Sequence, residues 1–311
     1  MPAEPRFPAP DPRDVDARAV RRSFGRAAPT YDAAAALQRE VSARMAQRLD
    51  FVKLAPAAVL DLGCGTGEAL GELAARYSSA QLCALDVALP MLLAARRRVA
   101  SGRSVLSRLL RPVLRGAPGR APQYVCGDAN ALPFAGVAFD LVWSNLTLQW
   151  INDLPRVLAE VRRVMRVGGL LTFTTFGPDT LKELRGAFAR VDGYTHVNRF
   201  LDMHDIGDAL VQAGFADPVM DMEYITLTYE SPAAMLRELK HIGATNATRG
   251  RSRGLMGARR YARLTAMLER LRTDGRIPAT FEVVYGHAWK AAPRRTPEGH
   301  AVVEVRRPPR K

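Results

Sequence analysis

The segment Val59-Leu-Asp-Leu-Gly-Cys-Gly-Thr-Gly67 constrains this chain more than any other. A short apolar run ends in Asp61, Gly63, Gly65 and Gly67 follow, and a helical stretch begins behind them. Glycines let the chain turn sharply off a strand and bring backbone against a ligand, and the helix start adds unpaired N–H groups. Dinucleotide sites use G-x-G-x-x-G at this point. Here the spacing is G-x-G-x-G with an acid two residues before the first glycine. A carboxylate there is unwelcome to a pyrophosphate and suits a cationic sulfonium ligand that also carries an ammonium group.

The surrounding pattern places the loop in an α/β fold. Strands are predicted at 58–62, 81–85, 123–126, 139–144 and 169–176, with helices at 67–77, 89–100 and 154–167 between them. Strands separated by helices imply βαβ units and a mostly parallel sheet covered on both faces. Two later strands, 224–229 and 280–289, flank a helical stretch, 231–274, that reads as a lid inserted between the last two strands. The organisation expected is a weakly ordered arm at 1–20, N-terminal helices over the ligand at 21–56, the main domain at 57–290 and a basic tail at 291–311. Residues 101–122 read as a basic insertion, with five arginines and no acid.

Ligands of open α/β sheets bind at the carboxyl ends of the strands. Four polar positions fall there. Asp61 ends the first strand; Asp86 ends the second and can accept from ribose hydroxyls; Asp128 and Ala129 follow the third, where Asp128 can accept from an adenine amino group; Asn145 follows the fourth. Each acid taken alone is more often a turn or cap residue; four polar groups at the ends of successive strands are not independent accidents.

The 311 residues carry 45 Lys and Arg against 31 Asp and Glu, a formal charge of +14, which favours acidic partners without choosing among them. The basic insertion has no Phe, Trp or Tyr, which argues against nucleic acid. No apolar run approaches the roughly 20 residues of a membrane span, and Met1–Pro12 lacks an apolar leader, so the chain is expected in the cytoplasm. Three cysteines without a spacing pattern suggest neither a disulfide framework nor a metal site.

Through VLDLGCGTG, Leu85-Asp86, GDANALPF and FDLVWSNLTLQWINDL the chain resembles the class I methyltransferases over 57–176. That resemblance implies a Rossmann-like, seven-stranded sheet with an antiparallel last strand and S-adenosyl-L-methionine as cofactor. FGRAAPTYDAAAALQ, FGPDTLKELR, HVNRF, LKHIGATN and PATFEVVYGHAW extend the match to the malonyl-acyl-carrier-protein O-methyltransferases of biotin synthesis. A group of protein-arginine hydroxylases in respiratory complex I assembly shares FG-x-DTL-x-ELR, and an RNA or small-molecule methyltransferase stays open as a further alternative. The resemblance implies methylation of the free carboxylate of a malonyl thioester on an acidic carrier protein. A carboxylate is already ionised at neutral pH, so no base is needed. The residues expected to hold it are Arg199, then His196 and Lys240, with Tyr31 closing over the cofactor. Arg199 reads equally as a surface ion pair and Tyr31 equally as core; His196 reads more readily as a structural histidine, and Trp143 and Trp150 as core.

Overall fold

The apolar runs form strands because both faces of the sheet are covered. In the computed structural model, which describes residues 11, 14–102, 120–252 and 254–292, β1 (Ala58–Leu62), β2 (Gln81–Asp86) and β4 (Phe139–Ser144) are buried along nearly their whole length. With β3 (Gln123–Cys126), β5 (Met165–Phe176), β6 (Ala216–Tyr229) and β7 (Ile277–Trp289) they make a seven-stranded sheet in the order β3-β2-β1-β4-β5-β7-β6. Strands β1 to β5 pair in parallel, and β7 runs antiparallel to both neighbours. The Rossmann-like sheet expected from the sequence is the one observed.

The period-two alternation of strand side chains divides the core. Val59, Leu141, Val283 and Tyr285 point into one apolar cluster, whereas Leu60, Leu62, Val142, Val284 and Ala288 point into the other. Helices α3 (Ala36–Arg48) and α4 (Leu70–Arg76) cover the first face through Val41, Met45 and Leu73. Helices α6 (Leu154–Val164) and α8 (Met203–Gln212) cover the second through Leu158, Val161 and Leu210. Each fully buried side chain of this kind contributes about 1.5–3 kcal/mol. Asp153 and Asp202 cap α6 and α8 by accepting from Arg156 N and His204 N. The chain completes the architecture with α1 (Ala17–Ala27), α2 (Tyr31–Ala34), α5 (Leu89–Gly102), α7 (Lys182–Ala189), α9 (Pro232–His241) and α10 (Ala258–Glu269).

Several boundaries differ from expectation. Residues 14–20 are not an arm. Asp16 caps α1, Val15 bridges to Thr248, and Val15, Ala19 and Val20 are buried with Ala247; three apolar side chains among charges were too few to signal this. Strand β6 begins eight residues before the expected Tyr224, because only alternate residues are covered at this sheet edge and the run Met220-Asp-Met-Glu223 therefore reads as polar. Helix α6 stops at Val164, where β5 begins, rather than at Val167. The lid stretch contains two helices, α9 and α10. Residues 1–10, 12–13, 103–119, 253 and 293–311, which include most of the expected arm, insertion and tail, lie outside the described residues.

Two of the sequence words, FGPDTLKELR and PATFE, are bonded to each other. Gly177 N donates to Glu282 O at 2.9 Å, Leu181 N to Thr280 O at 2.6 Å and Asp179 N to Glu282 Oε2 at 2.6 Å. Glu183 accepts from Thr280 N at 3.0 Å and from its hydroxyl, while Arg185 donates to Pro178 O and Thr180 O. Glu282 is buried, so its removal strands a backbone N–H. Glu282→Ala is expected to cost about 1–3 kcal/mol in urea unfolding, and an unchanged midpoint would refute this lock.

Candidate active site

The crevice opens where the chain leaves β1 towards β2 on one side and β4 on the other, the usual ligand position in such sheets. Gly63 N and Cys64 N both donate to Leu85 O, at 2.8 and 3.0 Å, which folds the loop over the end of β2. Gly63 has φ +77°, and a Cβ there would sit 2.2 Å from Thr147 Oγ1. Gly65, at φ +52°, faces open space and donates its N–H to Asp86 Oδ2 at 2.9 Å. Both glycines line the crevice. Gly67, expected beside them, instead makes room for α5: a Cβ there would come 2.8 Å from Ala95 Cβ.

Asp61 is 3% exposed, and its Oδ2 has no hydrogen-bond partner among the described residues. Burial and the neighbouring Asp86 push its carboxyl up from the ordinary 3.8 to about 8. An acid held this way is a poor structural group and a good socket for a ligand cation. Asp86 is already engaged: Oδ1 accepts from Ala88 N at 2.8 Å and Oδ2 from Gly65 N, so it shapes the loop as well as facing the crevice. Burial raises its carboxyl, opposed by these backbone bonds. Asp128, exposed, accepts from Asn130 N and Nδ2, both at 2.8 Å, and with Ala129 lines the same cavity of about 860 Å³. The donor set fits S-adenosylmethionine: an anionic socket at Asp61 for its ammonium, and acceptors at Asp86 and Asp128 for hydroxyl and amine protons. Asn145 also borders this crevice, but its side chain is spent on the scaffold, donating to Gln38 O at 3.0 Å and accepting from Thr174 Oγ1 at 2.6 Å.

A second chamber adjoins the crevice. Its walls are mainly apolar (Phe176, Phe200, Phe281, Leu239) and Tyr31 lies on the boundary of this chamber and of both parts of the cofactor crevice. Burial, then Asp86 and Asp32, raise the Tyr31 phenol, which stays protonated and able to donate at neutral pH. Helix α2 is pinned in place by Asp32, which accepts from Thr66 Oγ1 at 2.5 Å and pairs with Arg98 at 2.6 Å. Thr30 Oγ1 donates to His241 O, and Ser23 and Thr245 hydroxyls meet at 2.8 Å, so N-terminal helices and lid close the chamber together. Phe24 and Trp150 stack edge to face at 5.1 Å on the wall between crevice and chamber. Trp150, read as core, is thus a lining residue; Trp143 is buried and also touches the crevice.

The expected carboxylate-holding residues do not converge. His196 borders the chamber, but its Nε2 is bonded to Asp192 at 2.7 Å and its ring stacks on Phe188 at 3.7 Å. Arg199 is exposed and lines a separate outer groove with Arg185 and Asp205; it does not line the chamber, because its neighbours Val197 and Asn198 are the residues buried there. Lys240 is exposed on α9 and lines none of these cavities. Two residues overlooked in the sequence do line the chamber, Gln38 and Asn198. Gln38 stands seven residues beyond Tyr31 but across the break at Ala35 between α2 and α3, so no single helical period links the two.

A family model described as a methyltransferase domain matches residues 60–173. A malonyl-acyl-carrier-protein O-methyltransferase of Laribacter hongkongensis is 57% identical over 294 residues, covering 93% of this chain and 96% of the relative. One from Gallionella capsiferriformans is 52% identical over 291 residues, covering 94% and 97%. The YcgJ protein of Bacillus subtilis, 14% identical, shares the fold at a TM-score of 0.56 over 82% of this chain and 99% of its own.

The Asp61 carboxyl gives a pH signature. Its folded pKa of about 8 lies above the unfolded 3.8, so its contribution to stability is complete below the unfolded value and is lost as the pH climbs towards 8. Without cofactor, the wild type is expected to melt lower at about pH 8 than at about pH 5, and Asp61→Asn to reduce that difference. Cofactor binding, which favours the ionised carboxylate, should tighten with pH over the same window in the wild type but not in Asp61→Asn. Calorimetry showing the same pH dependence in both proteins would refute the socket.

Proposed function

The chain belongs to the family of malonyl-acyl-carrier-protein O-methyltransferases, and on that premise we propose that it methylates the free carboxylate of a malonyl group carried as a thioester on an acyl carrier protein. The observation that carries the reading is the position of Tyr31 on the shared wall between the cofactor crevice and a separate, largely apolar chamber. When bound, S-adenosylmethionine supplies a methyl group on positively charged sulfur. Asp61 holds the ammonium end, the Gly63–Gly65 backbone lies against the ligand, and Asp86 and Asp128 accept from its nucleoside end. The malonate carboxylate needs no deprotonation at neutral pH. The protein's task is therefore to orient it and exclude water, with Phe176, Phe200 and Phe281 as the dry wall. Tyr31 donates its hydroxyl proton to the carboxylate, as a hydrogen bond without transfer.

Arg199 takes a different part from the one expected. On the outer groove, with Arg185, its guanidinium suits the anionic carrier side of the substrate rather than the malonyl carboxylate. The formal charge of +14 supports the same pairing.

The deciding experiment is transfer of labelled methyl to malonyl-carrier protein, with release of the label by mild alkaline hydrolysis of the ester. Absence of transfer with cofactor still bound would overturn the assignment. Tyr31→Phe is expected to lower kcat about tenfold, the effect of one lost hydrogen bond, with cofactor affinity retained. Arg199→Ala should raise KM for the carrier-bound substrate in low salt, and the gap should close as salt screens the charge. Turnover of a free malonyl thioester should be indifferent to Arg199→Ala and to salt; an Arg199→Ala defect of equal size on the free thioester would return Arg199 to the chamber.

A further inference from the structure

A malonyl thioester has two ends that need recognition, a carboxylate and a thioester joined to an amide-bearing arm. The chamber offers few groups still free to serve them. Among the described residues its lining contains no Lys or Arg. Its other polar groups are mostly committed: Gln149 Nε2 donates to Leu146 O, Asn246 Nδ2 to Thr195 O, Thr180 Oγ1 to Glu282 O, and Thr245 shares its hydroxyl with Ser23. His196 is held by Asp192. The amides of Gln38 and Asn198 differ. Neither donates a hydrogen bond among the described residues, and Gln38 Oε1 and Asn198 Oδ1 are both buried without a partner. Each therefore keeps an NH2 group free to donate to an acceptor such as a carboxylate or a carbonyl, while its orphaned oxygen calls for an N–H or O–H donor.

Their positions divide by end. Gln38 lies on the wall shared by the chamber and the crevice around Asp61, and its backbone is fixed there by Asn145. Asn198, 8% exposed, lies on the wall shared by the chamber and the outer groove. Resting on the functional reading above, we propose that these two amides grip the substrate from opposite ends: Gln38 donates to the malonyl carboxylate beside the cofactor, and Asn198 bonds an amide of the thioester arm where it enters.

Neutral donors suit this chemistry better than a guanidinium. The carboxylate loses its charge as the ester forms, so a cationic clamp would hold the ground state more strongly than the transition state and slow the step. An amide orients the nucleophile without that penalty. For the arm, a side-chain amide offers one donor and one acceptor, matching a secondary amide.

The test is steady-state kinetics on malonyl-carrier protein and on malonyl-pantetheine, together with cofactor Kd by calorimetry, for Gln38→Ala, Gln38→Glu, Asn198→Ala and Asn198→Asp. Gln38→Ala is expected to lower kcat about tenfold on both substrates with cofactor Kd little changed. Gln38→Glu should lower it further, since carboxylate then faces carboxylate. Asn198→Ala is expected to raise KM about tenfold on both substrates with a smaller change in kcat. The near-isosteric Glu and Asp variants, checked by thermal melting, keep the test sound where the alanine variants fold poorly. Unchanged kcat in the Gln38 variants, a Gln38 effect confined to cofactor Kd, or an unchanged KM in the Asn198 variants would overturn the proposal. Failure of the wild type to form the ester on either substrate is a different result: it removes the functional reading, and this inference with it.

Discussion

A carboxylate sealed into the end of β1 without a protein cation organises this molecule. Asp61 has the central strand beneath it, the Gly63–Gly67 loop beside it and Asp86 close enough to raise its pKa. Burying an unpaired acid opposes folding, so the surrounding structure must hold the loop by other means. It does so with the Leu85 carbonyl, which accepts two loop N–H groups, and with Asp86, which accepts a third. The loop is thus held by β2, and the two large apolar clusters on either side of the sheet supply the stability that offsets the buried acid.

The cover over this socket is built from two parts of the chain far apart in sequence. Helix α1 is tied to the lid by Val15 on Thr248, Asp16 on Arg251 and Ser23 on Thr245, and α2 is tied to the loop by Asp32 on Thr66. Phe24 and Tyr31 therefore form a wall with the crevice on one side and the chamber on the other. This shared wall is the physical basis for treating the two cavities as one site; on the proposed reaction the carboxylate is already ionised, so apposition and dryness are what the walls need to provide.

Much of this was legible in the chain. The run of apolar residues gave β1 and β4 their observed limits, because strands covered on both faces carry nearly continuous apolar runs. Strand β6 was partly missed for the converse reason: an edge strand alternates, and its Asp221 and Glu223 reach Arg48 and Arg44 of α3, so this stretch carries charge. The words FGPDTLKELR and PATFE were recognisable as family features, yet their meaning is mutual hydrogen bonding across about a hundred residues, which no local reading contains. In HVNRF the eye falls on Arg199, the charged residue, whereas the buried position is its neighbour Asn198. One step along an irregular segment reverses which side chain faces the cavity, and without a helical or strand period nothing in the letters fixes the phase.

What the sequence by itself determined is the class of fold and the nature of the cofactor site. Both follow from local rules: strand and helix periods, glycine at positive φ, and an acid at the end of a parallel strand. Tertiary structure alone decided which of the three glycines line the crevice, that Asn145 holds a helix rather than facing the crevice with a free amide, and which residues enclose the chamber. Those outcomes depend on where α1, α3, the lid and β7 meet in space. Chain contacts between residues more than a hundred positions apart set them, and spacing along the sequence carries no record of such distances.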